Sequence, residues 1–517
     1  MKIANLYRKL KQILDNINIS LVNRGLNAVE SFDGIPSEID KLGEINRLPY
    51  IFRDEIVNIT EEELEGCSEI NGNIFDGISS LIEVDIPDSV TSIEDYAFER
   101  CRNLASVTIG EDSQLTYIGR NAFYDCLSLT SIFIPSGVTV IGYSAFDGCE
   151  SLKSVTFGEN SKLTDIYTDA FSGCESLTGI VLPDSVEWIS QNAFRNCDSL
   201  TEINIPDSVT NIGTEAFVGC NSLTAINVDM NNADYSSVDG VLYDKNITTL
   251  ICFPYNKNLT SFPNSVTNIG EYAFSWKDNM TEFDIPNTIT SIGGRAFEYC
   301  DKLNSITIPD SVTSIGRGAF SSCGLTSIII PNSVTDIGDS LFSNCKSLTS
   351  VTFPDNMTSV PSSMFYFCTK LSSVNIPDSV TSIGKEAFQA CIKLSSINIP
   401  EGVTDIGERA FYDCSSLTNI TIPDGVKKIN SLTFYYCRSL TSIVFGSGVT
   451  SIDGNAFFGC TSLENIYLKS TTPPTISDSS EILSTATIHV PIGSGSAYKN
   501  ATNWSNLANQ IVEDVVV

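Results

Sequence analysis

Leu303-Asn304-Ser305-Ile306-Thr307-Ile308-Pro309-Asp310-Ser311-Val312-Thr313-Ser314-Ile315-Gly316, closed by Ala319-Phe320-Ser321-Ser322-Cys323, is one copy of the unit from which most of this chain is built. Its Leu-x-x-Ile-x-Ile opening alternates as a half-buried strand does, with Ile306 and Ile308 pointing inward around an outward Thr307. Pro309 has no backbone donor to continue a ladder, so the strand ends there. Gly316 suits a turn that requires a positive φ. The segment from Ala319 to Cys323 then turns back toward the next strand, with Phe320 and Cys323 facing inward.

Working outward from this copy, the phenylalanine recurs at Phe75, Phe98, Phe123, Phe146, Phe171, Phe194, Phe217, Phe274, Phe297, Phe320, Phe342, Phe365, Phe388, Phe411, Phe434 and Phe457. Most intervals are 23 residues, two are 25, one is 22, and one is a long gap. Alanine precedes the phenylalanine in twelve of the sixteen units, and cysteine follows three residues later in fourteen, so both positions are set by the repeat. Glycine recurs at the Gly316 position as Gly119, Gly142, Gly213, Gly270, Gly293, Gly338, Gly384 and Gly407. One unit cannot bury its apolar face alone, whereas stacked units can, each isoleucine covering its counterpart in the neighbour. The expected fold is a repeat solenoid with a long parallel β-sheet of about sixteen short strands spaced by ~4.8 Å.

The spacing Leu-x-x-Ile-x-Ile-Pro-x-x-Val-x-x-Ile-Gly followed by Ala-Phe-x-x-Cys resembles the BspA-like, or Treponema-type, leucine-rich repeats over about residues 60 to 468. Pro473-Pro474, Ile488-His489-Val490-Pro491, Ala497-Tyr498 and Trp504 are similar to the closing segment common in that family. The resemblance implies a bacterial or protozoan surface protein that attaches to host matrix proteins or other cells. The resulting division is a leading segment over 1–48, the leucine-rich-repeat solenoid over 49–468, and a C-terminal closing segment over 469–517.

Two stretches depart from the repeat. Between Phe217 and Phe274, an irregular insertion over 229–259 contains Tyr235-Ser236-Ser237-Val238-Asp239-Gly240-Val241-Leu242-Tyr243, which reads as a hairpin around an Asp-Gly turn. The Ile251-Cys252-Phe253-Pro254 that follows has the form of a strand end and places Cys252 in a strand. The insertion reads as structural, with a dedicated binding loop as the alternative. In residues 1–48, Leu6, Leu10, Ile13, Leu14, Ile17 and Leu21 form a stripe at helical spacing. This short N-terminal helical segment serves either as a cap over the open end of the core or as an attachment module. The stretch also resembles the leading segments of some phage and prophage tail proteins, which implies a place on a virion.

Composition narrows the function classes. The 517 residues are 42% apolar and carry a net charge of −32, which repels phosphate backbones and argues against nucleic acid as a partner. No apolar run is long enough to span a bilayer. Arg8, Lys9, Lys11 and Asp15 stand where a signal peptide would need its apolar stretch, so none is expected within Met1 to Gly25. Arg8, Lys9, Lys11 and Arg24 read as the solvated side of the first helix.

The sixteen cysteines form no C-x-x-C pair and no zinc-like grouping. Those in register read as buried, reduced thiols packed as small apolar groups, with no obvious hydrogen-bond partner for a position such as Cys391. His489 is the single histidine, so no histidine-based triad or metal cluster can be assembled. Aspartates after proline (Asp88, Asp184, Asp207, Asp310, Asp355, Asp378, Asp424) read as turn chemistry, with a Ca²⁺-binding column as the alternative.

No catalytic site and no cofactor or metal is therefore expected. The reading is a non-catalytic macromolecule-binding or adhesion protein at a cell or virion surface, with an intracellular or virion-assembly scaffold as the alternative. Its partner would be a protein or glycan lying along the solvent face of the strands. There Thr, Asn and Asp form the background, and Phe133, Val181, Ile329, Val444 and Tyr467 interrupt it. Aromatic anchors carry a large share of interface energy, which makes Phe133 and Tyr467 the preferred contacts.

Overall fold

A computed structural model describes residues 57–64, 66–258, 262–476 and 486–515; the leading segment 1–48, with its helical stripe and basic group, lies outside the described residues. The chain forms two compact units, one of Met1–Ile247 with Cys252–Leu259 and the other of Thr248–Ile251 with Thr260–Val517. Each is a stack of coils. In the first unit the opening strands pair in parallel with the register of the repeat: Glu83, Val84, Asp85 and Ile86 face Ser106, Val107, Thr108 and Ile109. In the second unit Asn419–Ile422, Ser442–Phe445 and Asn465–Leu468 pair in the same way. Each four-residue strand ends before its proline, as Glu83–Ile86 does before Pro87.

A second ladder accompanies the first. Two-residue strands at the x-Ile-Gly position, from Glu69–Ile70 through Ser92–Ile93 to Asn211–Ile212, run in parallel through the first unit. Asn268–Ile269, Ser291–Ile292, Ser314–Ile315 and Asp336–Ile337 do the same in the second. The core lies between these ladders and the turn that carries the phenylalanine. Phe75 to Phe217 stack ring on ring at 5.1–5.9 Å in the first unit. Phe274 to Phe457 do so at 5.0–6.0 Å in the second. These offset stacks bury the largest apolar groups of every coil and add attraction beyond area burial.

The recurrent glycine does not serve a positive φ, which corrects the expectation from sequence. The residues in the left-handed region are those two before and two after each core phenylalanine, such as Tyr96 and Arg100, or Glu386 and Ala390. This arrangement points alternate N–H groups along the stack: Tyr96, Phe98 and Arg100 donate to the carbonyls of Arg120, Ala122 and Tyr124 in the next coil. Those bonds offset the cost of order 1 kcal/mol that a side chain incurs in that region. Gly316 and its counterparts are required by close approach between coils. A Cβ on Gly407 would stand 2.5 Å from the Lys385 nitrogen, and one on Gly338 2.3 Å from the Arg317 nitrogen.

The insertion is a hairpin as its sequence suggests. Tyr235–Val238 pairs antiparallel with Val241–Asp244, and both Asp239 (φ 50°) and Gly240 (φ 69°) adopt the positive φ that a two-residue hairpin turn demands. Asn232, fully buried, anchors it: its amide donates to the carbonyls of Pro206 and Val209 and accepts from the backbone N–H of Asp234 and Tyr235. Satisfying a buried amide at four points ties the hairpin to the preceding coil and favours the structural reading of the insertion. Cys252 does lie in a strand, Thr249–Cys252, whose Thr249 and Leu250 pair with Asn268 and Ile269 of the short second ladder.

At the C-terminal end, Thr487–Pro491 and Ile511–Val515 continue the parallel ladder beyond Asn465–Leu468. A short helix, Gly495–Asn500, and a 3-10 turn, Trp504–Gln510, fold between them. Trp504 donates its indole N–H to the Pro474 carbonyl at 2.7 Å, and Tyr498 its hydroxyl to the Ser470 carbonyl at 2.8 Å. These two buried rings, edge to face, close the core.

Candidate binding surface

The outward residue of each opening strand is fixed by the period of two, and its exposure follows from its neighbours. Val181 is 82% and Ile329 67% exposed, both apolar side chains held out into solvent. Phe133, Val444 and Tyr467 also face outward but are half-buried. Register aligns Val444 with Tyr467, Tyr467 with His489, and His489 with Val512, giving a continuous outward row at the end of the second unit. Tyr467 and His489 stack at 4.3 Å. His489 Nδ1 lies 2.8 Å from an Asp514 carboxylate oxygen and Nε2 3.1 Å from Asn465 Oδ1, so the ring is held by packing and by two polar partners. Where Asn375 and Asn398 pair through a single bridge, the same face dips into a shallow groove of about 430 Å³ that also includes Thr421.

The hydroxyl-rich flanks of this face have a structural role. Thr116 donates its hydroxyl to the Thr91 carbonyl, and Thr313 to that of Thr290, beside the second ladder. Thr441 does the same to Thr418 beside the first. Such bonds reinforce the backbone ladders at their exposed edges and account for much of the serine and threonine content.

The cysteines have a partner that the sequence did not reveal. All fourteen in register point Sγ at the phenylalanine carbonyl of the preceding coil, as Cys391 does to Phe365 at 3.2 Å and Cys101 to Phe75 at 3.0 Å. A hydroxyl at position 391 would meet the same acceptor, so the expectation of an orphaned group there is corrected. Burial pushes most of these thiols well up, with Cys345 and Cys460 at about 12, so thiolate chemistry is suppressed. Among the described residues there is no disulfide and no group of three or more residues able to hold a metal. No helix among them is long and apolar enough to cross a membrane.

A second set of exposed rings lies on the turn side and went unnoticed in the sequence. Tyr412, Tyr435 and Phe458 each directly follow a core phenylalanine and stack at 4.9 and 5.1 Å. The signal was available, because the same step of 23 residues that reveals the core also brings its neighbours into a column.

Among curated proteins, none matches this sequence. Solved structures with similar folds include the pneumococcal vaccine antigen PcpA, at 23% identity over 72% of this chain and 89% of that one, with a TM-score of 0.48. A leucine-rich repeat protein from Bacteroides ovatus is 26% identical, covering 81% and 88% of the two chains, with a TM-score of 0.41. One from Eubacterium ventriosum is also 26% identical, covering 74% and 83%, with a TM-score of 0.44. The model of the BspA type leucine-rich repeat region matches residues 68–166, 159–267, 267–395 and 381–484. With most of its length matched in this way, the chain belongs to the BspA-type leucine-rich-repeat family.

Proposed function

We propose that this chain is a non-catalytic binding protein that holds a macromolecular partner against the outward face of its opening strands, at a cell or virion surface. The observation that supports this reading most directly is the exposure of Val181 and Ile329 in columns otherwise made of Thr, Asn and Asp. An apolar side chain held in water gains by being covered, and an extended face sums many weak contacts into useful affinity. Phe133 and Tyr467 are the aromatic anchors of the same face and supply contact area at little entropic cost.

Two measurements test the proposal. Fractionation of the native source, with mass spectrometry of any virions, separates a surface protein from an intracellular or assembly scaffold. Surface plasmon resonance against purified host matrix proteins should give binding that Val181→Ser/Ile329→Ser and Phe133→Ser/Tyr467→Ser weaken while circular dichroism stays unchanged. Unaltered affinity in both double variants removes the partner from the strand face.

A further inference from the structure

We propose that the turn side of the second unit carries a separate site for a neutral glycan, seated where Gln389 interrupts a column of exposed aromatic rings. The residue directly after the core phenylalanine faces solvent on the turn side. Over most of the chain it is acidic or a serine, as in Asp76, Glu99, Asp147, Ser172, Glu298 and Ser343, with Tyr124 an isolated exception among the aromatics. Over five consecutive coils of the second unit it becomes Tyr366, Gln389, Tyr412, Tyr435 and Phe458. Nothing in the core demands this change, since Phe365, Phe388, Phe411, Phe434 and Phe457 beneath it are buried as elsewhere.

Stacking assigns a role to each ring. Tyr435 is sandwiched between Tyr412 at 4.9 Å and Phe458 at 5.1 Å, so both its faces are taken. Tyr412 is covered by a ring on one side alone, because the next coil supplies Gln389 in place of another aromatic. Its other face therefore looks into a groove of about 540 Å³ that runs past Gln389 to Tyr366. Glu386, Arg409 and Asn455 also line this groove. Arg409 Nη1 lies 3.4 Å from Glu386 and 3.6 Å from Glu408, so the cation is held in place and its charge balanced. Gln389 Oε1 has no hydrogen-bond partner, an acceptor placed beside the open ring.

A sugar ring matches this set of groups. Its C–H face carries slight positive charge and sits on the negative face of an aromatic ring, while its hydroxyl rim needs donors and acceptors in one plane. Gln389, Asn455, Arg409 and Glu386 offer both, in planar amide, guanidinium and carboxylate groups. The balanced rim and the net charge of −32 select against polyanions, which leaves neutral saccharides. A protein partner would favour a drier, more apolar centre than this mixed groove provides. The site is distinct from the strand face, so it stands or falls independently of the function proposed above.

Affinity electrophoresis of the full chain, in native gels containing galactomannan, mixed-linkage β-glucan, dextran or heparin, tests the proposal. The expected result is retardation in at least one of the three neutral polysaccharides and none in heparin. Tyr412→Ala should weaken it by about tenfold or more, as the loss of a central aromatic contact does. Gln389→Tyr should also abolish it by filling the gap with a ring, and its melting temperature, equal to or above wild type, shows that the fold is intact. No retardation in any neutral gel, retardation in heparin alone, or retardation that persists in a folded Gln389→Tyr variant overturns the proposal.

Discussion

Phe388→Ala is the sharpest probe of how the coils are held together. The side chain is fully buried, with its ring 5.4 Å from Phe365 on one side and 5.4 Å from Phe411 on the other. Removing the ring forfeits about 1.5–3 kcal/mol of apolar transfer energy. It also breaks two stacking contacts worth roughly 0.5–1.5 kcal/mol each. Relaxation into the void is restricted, because the backbone on both sides is pinned: Phe365 N–H donates to the Ala387 carbonyl and Phe388 N–H to that of Ala410, each at 2.8 Å. The loss should therefore fall at about 3–5 kcal/mol, the range found for buried aromatic deletions. Because a stacked array is stabilised by nearest-neighbour terms, the damage falls on two interfaces at once and the unfolding transition should also broaden. Urea unfolding followed by circular dichroism gives both quantities, with Phe388→Leu as a milder control. A loss below about 1 kcal/mol with an unchanged transition width would refute the idea that the phenylalanine column carries the cohesion between coils.

Further outcomes are expected. Gly407→Ala should destabilise by roughly 1–3 kcal/mol through backbone contact with the preceding coil, whereas Gly179→Ala, with nothing within 4 Å of the added Cβ, should be close to neutral; equal melting temperatures would remove the close-approach argument. Under native conditions iodoacetamide should modify Cys67 and Cys252, which are half-buried, and spare the fourteen buried thiols, as read by peptide mass spectrometry. Burial raises the Asp147 carboxyl to about 6. The folded chain then holds a proton that the unfolded chain has released, so this contribution is complete below about pH 4 and disappears as pH rises through 6. Asp147→Asn should accordingly melt higher than wild type at pH 7.5, by about 1 kcal/mol after allowance for partial exposure, and match it near pH 4; a constant difference across that range would contradict the assignment.

The stacked fold was legible in the sequence because its core is written at one fixed interval. A phenylalanine every 23 residues, a cysteine three places on and the Leu-x-x-Ile-x-Ile strand each report burial through local pattern alone. The Asp239-Gly240 hairpin was legible for the same reason, since its turn chemistry lies within two residues. The outward placement of Phe133, Val181, Ile329, Val444 and Tyr467 follows from the alternation of the strand, but their exposure does not: Tyr467 is half-covered by His489, while Val181 has no such neighbour and stands open.

What the tertiary structure alone decided concerns atoms about one coil apart along the chain. The second ladder consists of two-residue strands, too short for any periodicity to announce. Gly407 is glycine because of Lys385, a residue 22 positions earlier, and not because of its own φ. Cys391 has a partner in the Phe365 carbonyl, 26 residues back. Tyr412 keeps an open face because Gln389, one coil away, is not a ring. Local sequence fixes which side of the chain faces inward; contacts between coils, created only when the chain has closed one full turn, determine which backbone must come close and which surface stays open.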